Sequence, residues 1–399
     1  MKILMIAFNL MYQGTFWRAY NLGRGLAKTG NEITLIATSR KSQKGIKEYE
    51  QEGVRIVEMP DLFHNSLRSG WDPWNVINRV QWLKGKEFDL VHAFESRPTV
   101  IYPALAYLRQ QPVPLVMDWA DWFGKGGSVE ERPSWLVKTV LRPVETYFEV
   151  SFRKRAHGTT VICSTLREKA LALGVPQDSI LYLTNGANTE TLLPKPIEAA
   201  RQSLSIAPDE MLIGYAGSIF KRDARLMAAA FERVVQQRPQ AKLVLAGNFP
   251  YDFKAMVSCP QNVIQTGFVD TQVLADYLSA CDIFWLPLSD SNANRGRFPY
   301  KFTDYMTIGR PIVATAVGDL PAMFRDQSIG FITPDQPEEI AQKTIRLMDD
   351  PALRVQFGKA ARRLAESDFS WDELSRQLEG HYRKVMLNFQ SKRSTSSAR

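Results

Sequence analysis

ILMIAFNLMYQGTFWRAYNLGRGLAKTGNEITLIA, residues 3–37, decides the fold. Residues 3–8 form an apolar run of strand length, 15–28 carry helical periodicity, and 32–37 are apolar again. Strand, helix and strand in that order predict a βα unit built on a parallel sheet. The rhythm continues with strands expected over 88–94 and 115–119. A second series opens at 211–216, followed by a helix near 225–237 and strands over 242–246, 263–266, 282–287 and 311–315. Two α/β halves result. Between them, Asn185-Gly186 signals a turn, and Pro194, Pro196 and Pro208 lie in a polar stretch. The boundary therefore falls between 190 and 205, which sets domains at 1–195 and 196–368. Asp350-Pro351 has the form of an N-cap with proline at the first helical position, opening a helical tail that runs past Trp371 to about Phe389. The polar residues 391–399 read as a disordered tail.

With 399 residues, 45% hydrophobic and 23% charged, the chain has an ordinary globular mix and length for two domains. Disordered, collagen-like and disulfide-dense classes are excluded. Cys163, Cys259 and Cys281 are far apart and have no CxxC spacing, which fits a reducing cytoplasm. The net charge of +8 and pI near 9.3 favour anionic partners without choosing among nucleotides, phosphates and acidic lipid. The charges are dispersed and no aromatic RNA-binding pattern occurs, so a nucleic-acid module is disfavoured. The opening KILMIAFNLM reads as a first strand rather than a signal peptide. No apolar run reaches the ~20 residues needed to span a bilayer, so the expected location is cytoplasmic, with peripheral membrane contact as an extension.

Several residues fall where chemistry is expected. Gly14 follows the first strand at the place where an open parallel sheet binds ligands, although a lone glycine there also serves as a simple turn. The G-x-G-x-x-G pattern is missing, since Gly23 and Gly25 lie inside the helix, and this disfavours nicotinamide and flavin cofactors. After the strand at 211–216, Gly217-Ser218 leads into a loop presenting Lys221 and Arg222, cations suited to a diphosphate. The alternative is a solvated basic face paired with Asp223. Arg295, Arg297 and Lys301 precede a short helix containing Asp304, whose carboxylate would accept ribose hydroxyls or simply face solvent. His64, His92, His157 and His381 share no ligand spacing and no Asp-x-Asp occurs, so no catalytic metal is expected. Residues 135–152 place Leu136, Val140, Val144 and Phe148 at fourfold spacing beside Lys138, Arg142, Arg153, Lys154 and Arg155. That helix either rests on anionic membrane or packs on its own sheet, bent by Pro143.

The ordered segments YAGS (215–218), LVLAGN (243–248), NVIQTGFV (262–269), LADYLSACDIFWLPL (274–288) and PYKFTDYMTIGRPIVAT (299–315) resemble the donor half of glycosyltransferase family 4. In the amino half, residues 14–37, EFDLVHAF (87–94) and LTNGANTETLLP (183–194) resemble the same family. The resemblance implies a GT-B fold, two Rossmann-like α/β domains with parallel sheets facing across a cleft, and a C-terminal helix over 369–390 crossing back to the first domain. It also implies transfer of a sugar from a UDP-, GDP- or ADP-sugar to a hydroxyl acceptor with retention of configuration, without a cofactor. Donor contacts would come from Gly14, Gly217, Ser218, Lys221, Arg222, Val269, Tyr300, Lys301 and Asp304, with Arg222 stabilising the leaving phosphate. Two departures stand out: Gly296 occupies the place of the family's first glutamate, and Ser218 that of an arginine often found after the loop glycine. Pro299-Tyr300-Lys301 resembles a family branch with Pro-x-Lys before the second acid. On the acceptor side, Asp118 and Asp121 in LVMDWADWFGKGG fall where the family frequently has a histidine. They would hold or deprotonate an acceptor hydroxyl, or serve as caps. His92 and Arg97 also follow a strand toward its carboxyl end, and His92 has the alternative reading of a satisfied core residue. A nucleotide-sugar epimerase and a non-catalytic nucleotide-sugar or glycan binder are the rival functions.

Overall fold

The structure is a computed structural model that describes residues 1–397 apart from 42, 63–68, 133, 248, 250 and 326. His64 lies outside the described residues. The chain forms two compact units, Met1–Thr184 with Trp371–Arg399, and Asn185–Ser370. The division thus falls at 184/185 and 370/371, where the sequence reading had 195/196 and 368/369. Leu183 and Thr184 stay with the first unit because their carbonyls accept hydrogen bonds from the buried Arg18 at 2.7 and 2.6 Å.

Unit 1 contains β1 (Lys2–Leu10), β2 (Glu32–Thr38), β3 (Lys47–Gln51), β4 (Val54–Met59), β5 (Leu90–Phe94), β6 (Leu115–Trp119), β7 (Gly158–Val161) and β8 (Ile180–Tyr182). They form one sheet in the order β3-β4-β2-β1-β5-β6-β7-β8, parallel except for the antiparallel β3–β4 pair. Ile3, Leu4, Met5 and Ile6 in β1 are fully buried, as expected of a central strand covered on both faces. Unit 2 contains β9 (Met211–Ala216), β10 (Ala241–Ala246), β11 (Val263–Gly267), β12 (Ile283–Leu286), β13 (Ile312–Thr315) and β14 (Gly330–Thr333), all parallel. Their order, β11-β10-β9-β12-β13-β14, reverses between β9 and β12. In unit 1 the corresponding reversal lies between β1 and β5. Open α/β sheets bind ligands beyond the carboxyl ends of the strands at such reversals. The topology therefore points to the loops after β1, β5 and β9.

The sequence-predicted tail is two helices, Pro351–Glu366 and Trp371–Ser397. Asp350 caps the first through Leu353 N at 2.9 Å. Helical backbone continues through Ser397, across most of the segment expected to be disordered, and 398–399 lie outside the described residues. The second helix packs on the helix Thr15–Lys28 within unit 1. Gly25 permits this approach: a Cβ there would lie 2.1 Å from Ser375 Oγ. Ser375 Oγ in turn donates to Leu22 O at 3.1 Å. No helix among the described residues is long and apolar enough to cross a membrane.

Candidate active site

In unit 2, β9 ends at Ala216 and the chain turns through Gly217, whose φ of +80° lies in the left-handed region. Gly217 N donates to Ala246 O at 2.8 Å and Gly247 N to Gly267 O at 3.1 Å, lacing together the loops after β9, β10 and β11. The following helix is Lys221–Gln237 and starts four residues earlier than its periodicity suggested. Lys221 and Arg222 thus occupy the first helical turn instead of a flexible loop. Its N-cap, Phe220, makes no side-chain capping bond, leaving a helix N-terminus suited to an anion. Both cations are exposed.

Asp223 does not neutralise them. Only 1% exposed, it accepts from Ser289 N at 2.8 Å and Asn294 Nδ2 at 3.0 Å and pairs with Arg297 at 3.6 Å. Burial raises its pKa against the pull of the Ser289 amide and Arg297. This inward anchorage fixes the start of the helix while its neighbours point outward.

The helix Tyr300–Ile308 contributes the other donor-side candidates. Lys301 Nζ donates to Ser218 O at 2.7 Å and to the Tyr215 hydroxyl, and lies 3.9 Å above the Tyr215 ring centroid. Burial, reinforced by Arg297, depresses its pKa strongly. Asp304, half-buried one turn along, is pushed by burial up to about 7 against the pull of Lys301. A Cβ on Gly217 would lie 3.8 Å from Lys301 Cε, so the β9 loop and this helix converge. Val269 is half-buried after β11 and follows the 85% exposed Phe268. Gly296 supplies no carboxylate; beside it, Arg297 lies 4.5 Å over the Phe220 ring. Arg295 is occupied by Asp290 at 2.6 Å.

In unit 1, Gly14 has φ +48° and stands at the N-cap of Thr15–Lys28. A Cβ there would come within 2.8 Å of Asn9 Nδ2, whose amide oxygen accepts from Thr15 N at 2.9 Å. Tyr12, with φ +64°, and Trp17 expose aromatic rings 5.5 Å apart beside this turn. Sequence reading missed that pair, because aromatic residues beside a strand end look locally like core.

Asp118 requires correction as a catalytic candidate. It is 0% exposed, with Arg18 Nε and Nη2 at 3.0 Å from its two carboxylate oxygens and Thr160 Oγ1 donating at 2.5 Å. Burial alone would raise its pKa, but the Arg18 guanidinium holds it below the usual carboxylate range. No acceptor reaches a carboxylate enclosed in this way. Asp118 and Asp121 do not converge, since Asp118 lies in the extended β6 and Asp121 beyond its end. His92 is likewise corrected to a core residue: fully buried, its Nδ1 lies 2.5 Å from the Tyr382 hydroxyl and burial drives its pKa down to about 3. Arg97 is also buried, donating to Ser69 O at 2.7 Å and lying 4.3 Å over the Phe8 ring.

Asp121 remains partly exposed, and Glu95 holds its backbone. Glu95 has φ +70°, is 2% exposed, and accepts from Ala120 N at 2.6 Å and Asp121 N at 3.2 Å. Burial pushes its pKa up to about 8, opposed by Arg153 at 3.3 Å. The sequence signal for Glu95 was an acid immediately after an apolar run of strand length.

The sequence model described as Glycosyltransferase Family 4 matches residues 12–191, and one described as Glycosyl transferases group 1 matches 210–350. An uncharacterized glycosyltransferase of Methanocaldococcus jannaschii is 20% identical over 97% of this chain and 99% of its own. A GDP-mannose-dependent monoacylated alpha-(1-6)-phosphatidylinositol monomannoside mannosyltransferase of Corynebacterium glutamicum is 23% identical over 54% of this chain and 58% of its own. Among solved structures, sucrose-phosphate synthase of Thermosynechococcus elongatus superposes with a TM-score of 0.73 at 20% identity, covering 97% of this chain and 99% of that one. Two units, each built on a largely parallel sheet with one reversal of strand order and each matched by a glycosyltransferase model, make this chain a glycosyltransferase of family 4 with the GT-B fold.

Proposed function

We propose that the enzyme moves a sugar from a nucleotide diphosphate sugar, held by unit 2, to a hydroxyl acceptor received by unit 1, with retention of configuration. The observation that carries this reading is the exposed Lys221–Arg222 pair on an uncapped helix N-terminus beside Gly217, with Asp223 tied inward. Amides, helix dipole and two cations together favour a diphosphate. As the glycosidic C–O bond breaks, its electron pair passes to the leaving phosphate oxygen. Arg222, helped by Lys221, stabilises that growing charge more than it stabilises bound donor. The acceptor oxygen forms the new bond to the anomeric carbon on the face the phosphate leaves, and its proton passes to the leaving phosphate oxygen.

Asp121 is the acceptor-side carboxylate we assign to orienting that hydroxyl. On the donor side, Lys301 positions Ser218 through its carbonyl, Asp304 binds donor hydroxyls, and Gly14, Val269 and Tyr300 complete the set of donor contacts. Three separated, buried cysteines without a disulfide fit work in the reducing cytoplasm. Melting temperature with UDP-, GDP- and ADP-sugars, against NAD and ATP, tests the donor class. One nucleotide sugar at a hundred times its Kd should add about 2.7 kcal/mol. Equal shifts for all the compounds would remove the reading.

A further inference from the structure

We infer that the helix Trp135–Ser151 is a docking surface for an anionic lipid bilayer. This helix lies inside out. Its two carboxylates, Glu145 and Glu149, are each 3% exposed and turned into unit 1. Glu149 accepts from the Phe123 and Gly124 amides, both at 3.0 Å, and pairs with Lys169 at 3.0 Å, while Glu145 lies 3.7 Å from Arg97. The apolar residues Trp135, Leu136, Val137, Val140, Val144 and Tyr147 are instead exposed, Trp135 by 71% and Val140 by 64%. Positions 138, 142, 145 and 149 follow helical spacing along one stripe, and 136, 140, 144 and 147 follow it along the opposite one. Glu145 and Glu149 of the polar stripe pack inward, together with Phe148, which packs on the core of unit 1, while Leu136, Val140, Val144 and Tyr147 stay outside.

A water-facing helix is ordinarily polar outside, and an exposed apolar stripe of this length marks an interaction site. The charges beside it specify the partner. With both acids of the helix buried, its remaining charges are basic: the half-buried Lys138 and the exposed Arg142, followed by the exposed Lys154 and Arg155 just beyond its end. Glu130, in the preceding turn, is taken up by Arg142 at 2.6 Å. Aromatic and aliphatic side chains bordered by cations match the boundary between acyl chains and anionic headgroups. Tyr102, also exposed, extends the surface, its ring 5.8 Å from that of Phe148.

The full chain should co-sediment with vesicles containing phosphatidylglycerol at low salt, and much less with pure phosphatidylcholine vesicles. Trp135→Ser with Val140→Ser should weaken that binding by about tenfold or more. Lys138→Gln with Lys154→Gln should weaken it by about thirtyfold, from about 1 kcal/mol per cation. All four positions are at the surface and outside the donor site, so melting temperature and donor-induced shift should stay at the wild-type values, and vesicle binding is read separately from the donor reading. Failure to sediment with phosphatidylglycerol vesicles, or equal binding by the Trp135/Val140 variant, would overturn the inference. So would a solution dimer dissolved by that variant, which would assign the face to a second copy of this chain.

Discussion

Asp118→Ala separates a catalytic carboxylate from a structural one. Arg18 and Asp118 are 1% and 0% exposed, and three of their atom pairs lie within 3.0–3.2 Å. Truncation leaves the guanidinium, held by the Leu183 and Thr184 carbonyls, buried without its counter-charge, and removes the carboxylate to which the Thr160 hydroxyl donated. Breaking a buried pair from one side costs about 3–5 kcal/mol. In a unit of this size each kcal/mol lowers Tm by about 2–4 °C, so scanning calorimetry should record a fall of roughly 6–20 °C. Replacing both partners together, Arg18→Met with Asp118→Leu, should recover much of that loss, because no charge is then left unpaired. An Asp118→Ala protein that kept its melting temperature within about 2 °C while losing turnover would refute the structural assignment and restore Asp118 as a catalytic group.

Arg222→Ala should lower kcat by roughly 10² to 10³, with a smaller effect on donor binding and little on melting, since its side chain is exposed; near-normal kcat in a folded variant would move the phosphate role to Arg295, Arg297 or Lys301. Asp304 gives a pH signature. In the folded chain it keeps its proton up to about pH 7, whereas an unfolded aspartate releases it near pH 4. Across that window the unfolded state binds fewer protons, so the contribution of Asp304 to stability falls as pH rises. Asp304→Asn should therefore gain stability relative to wild type from about pH 4 to pH 7 and then level off; a constant difference in melting temperature would contradict the shift.

Local pattern determined a large part of the architecture. The strands read at 115–119 and 211–216 coincide with β6 and β9, and the helix read at 15–28 with Thr15–Lys28, because apolar run length and 3.6-residue periodicity are properties of contiguous sequence. The basic character of the β9 loop was legible for the same reason: glycine after a strand and adjacent cations are neighbours in the chain. Tertiary structure decided which polar groups remain available. Asp118 looked like a free carboxylate until Arg18, a hundred positions away, enclosed it, and His92 became a core residue through Tyr382, 290 positions away. Asp223 could have neutralised Arg222 by proximity in sequence, but Ser289, Asn294 and Arg297 draw it inward. The helix at 135–151 shows the same division most clearly. Its amphipathic period was written in the sequence, but which stripe faces inward depended on Phe123, Gly124, Arg97 and Lys169, partners that only the folded backbone brings to Glu145 and Glu149. Periodicity fixes the angles between side chains on one element, whereas burial depends on what other elements place against them.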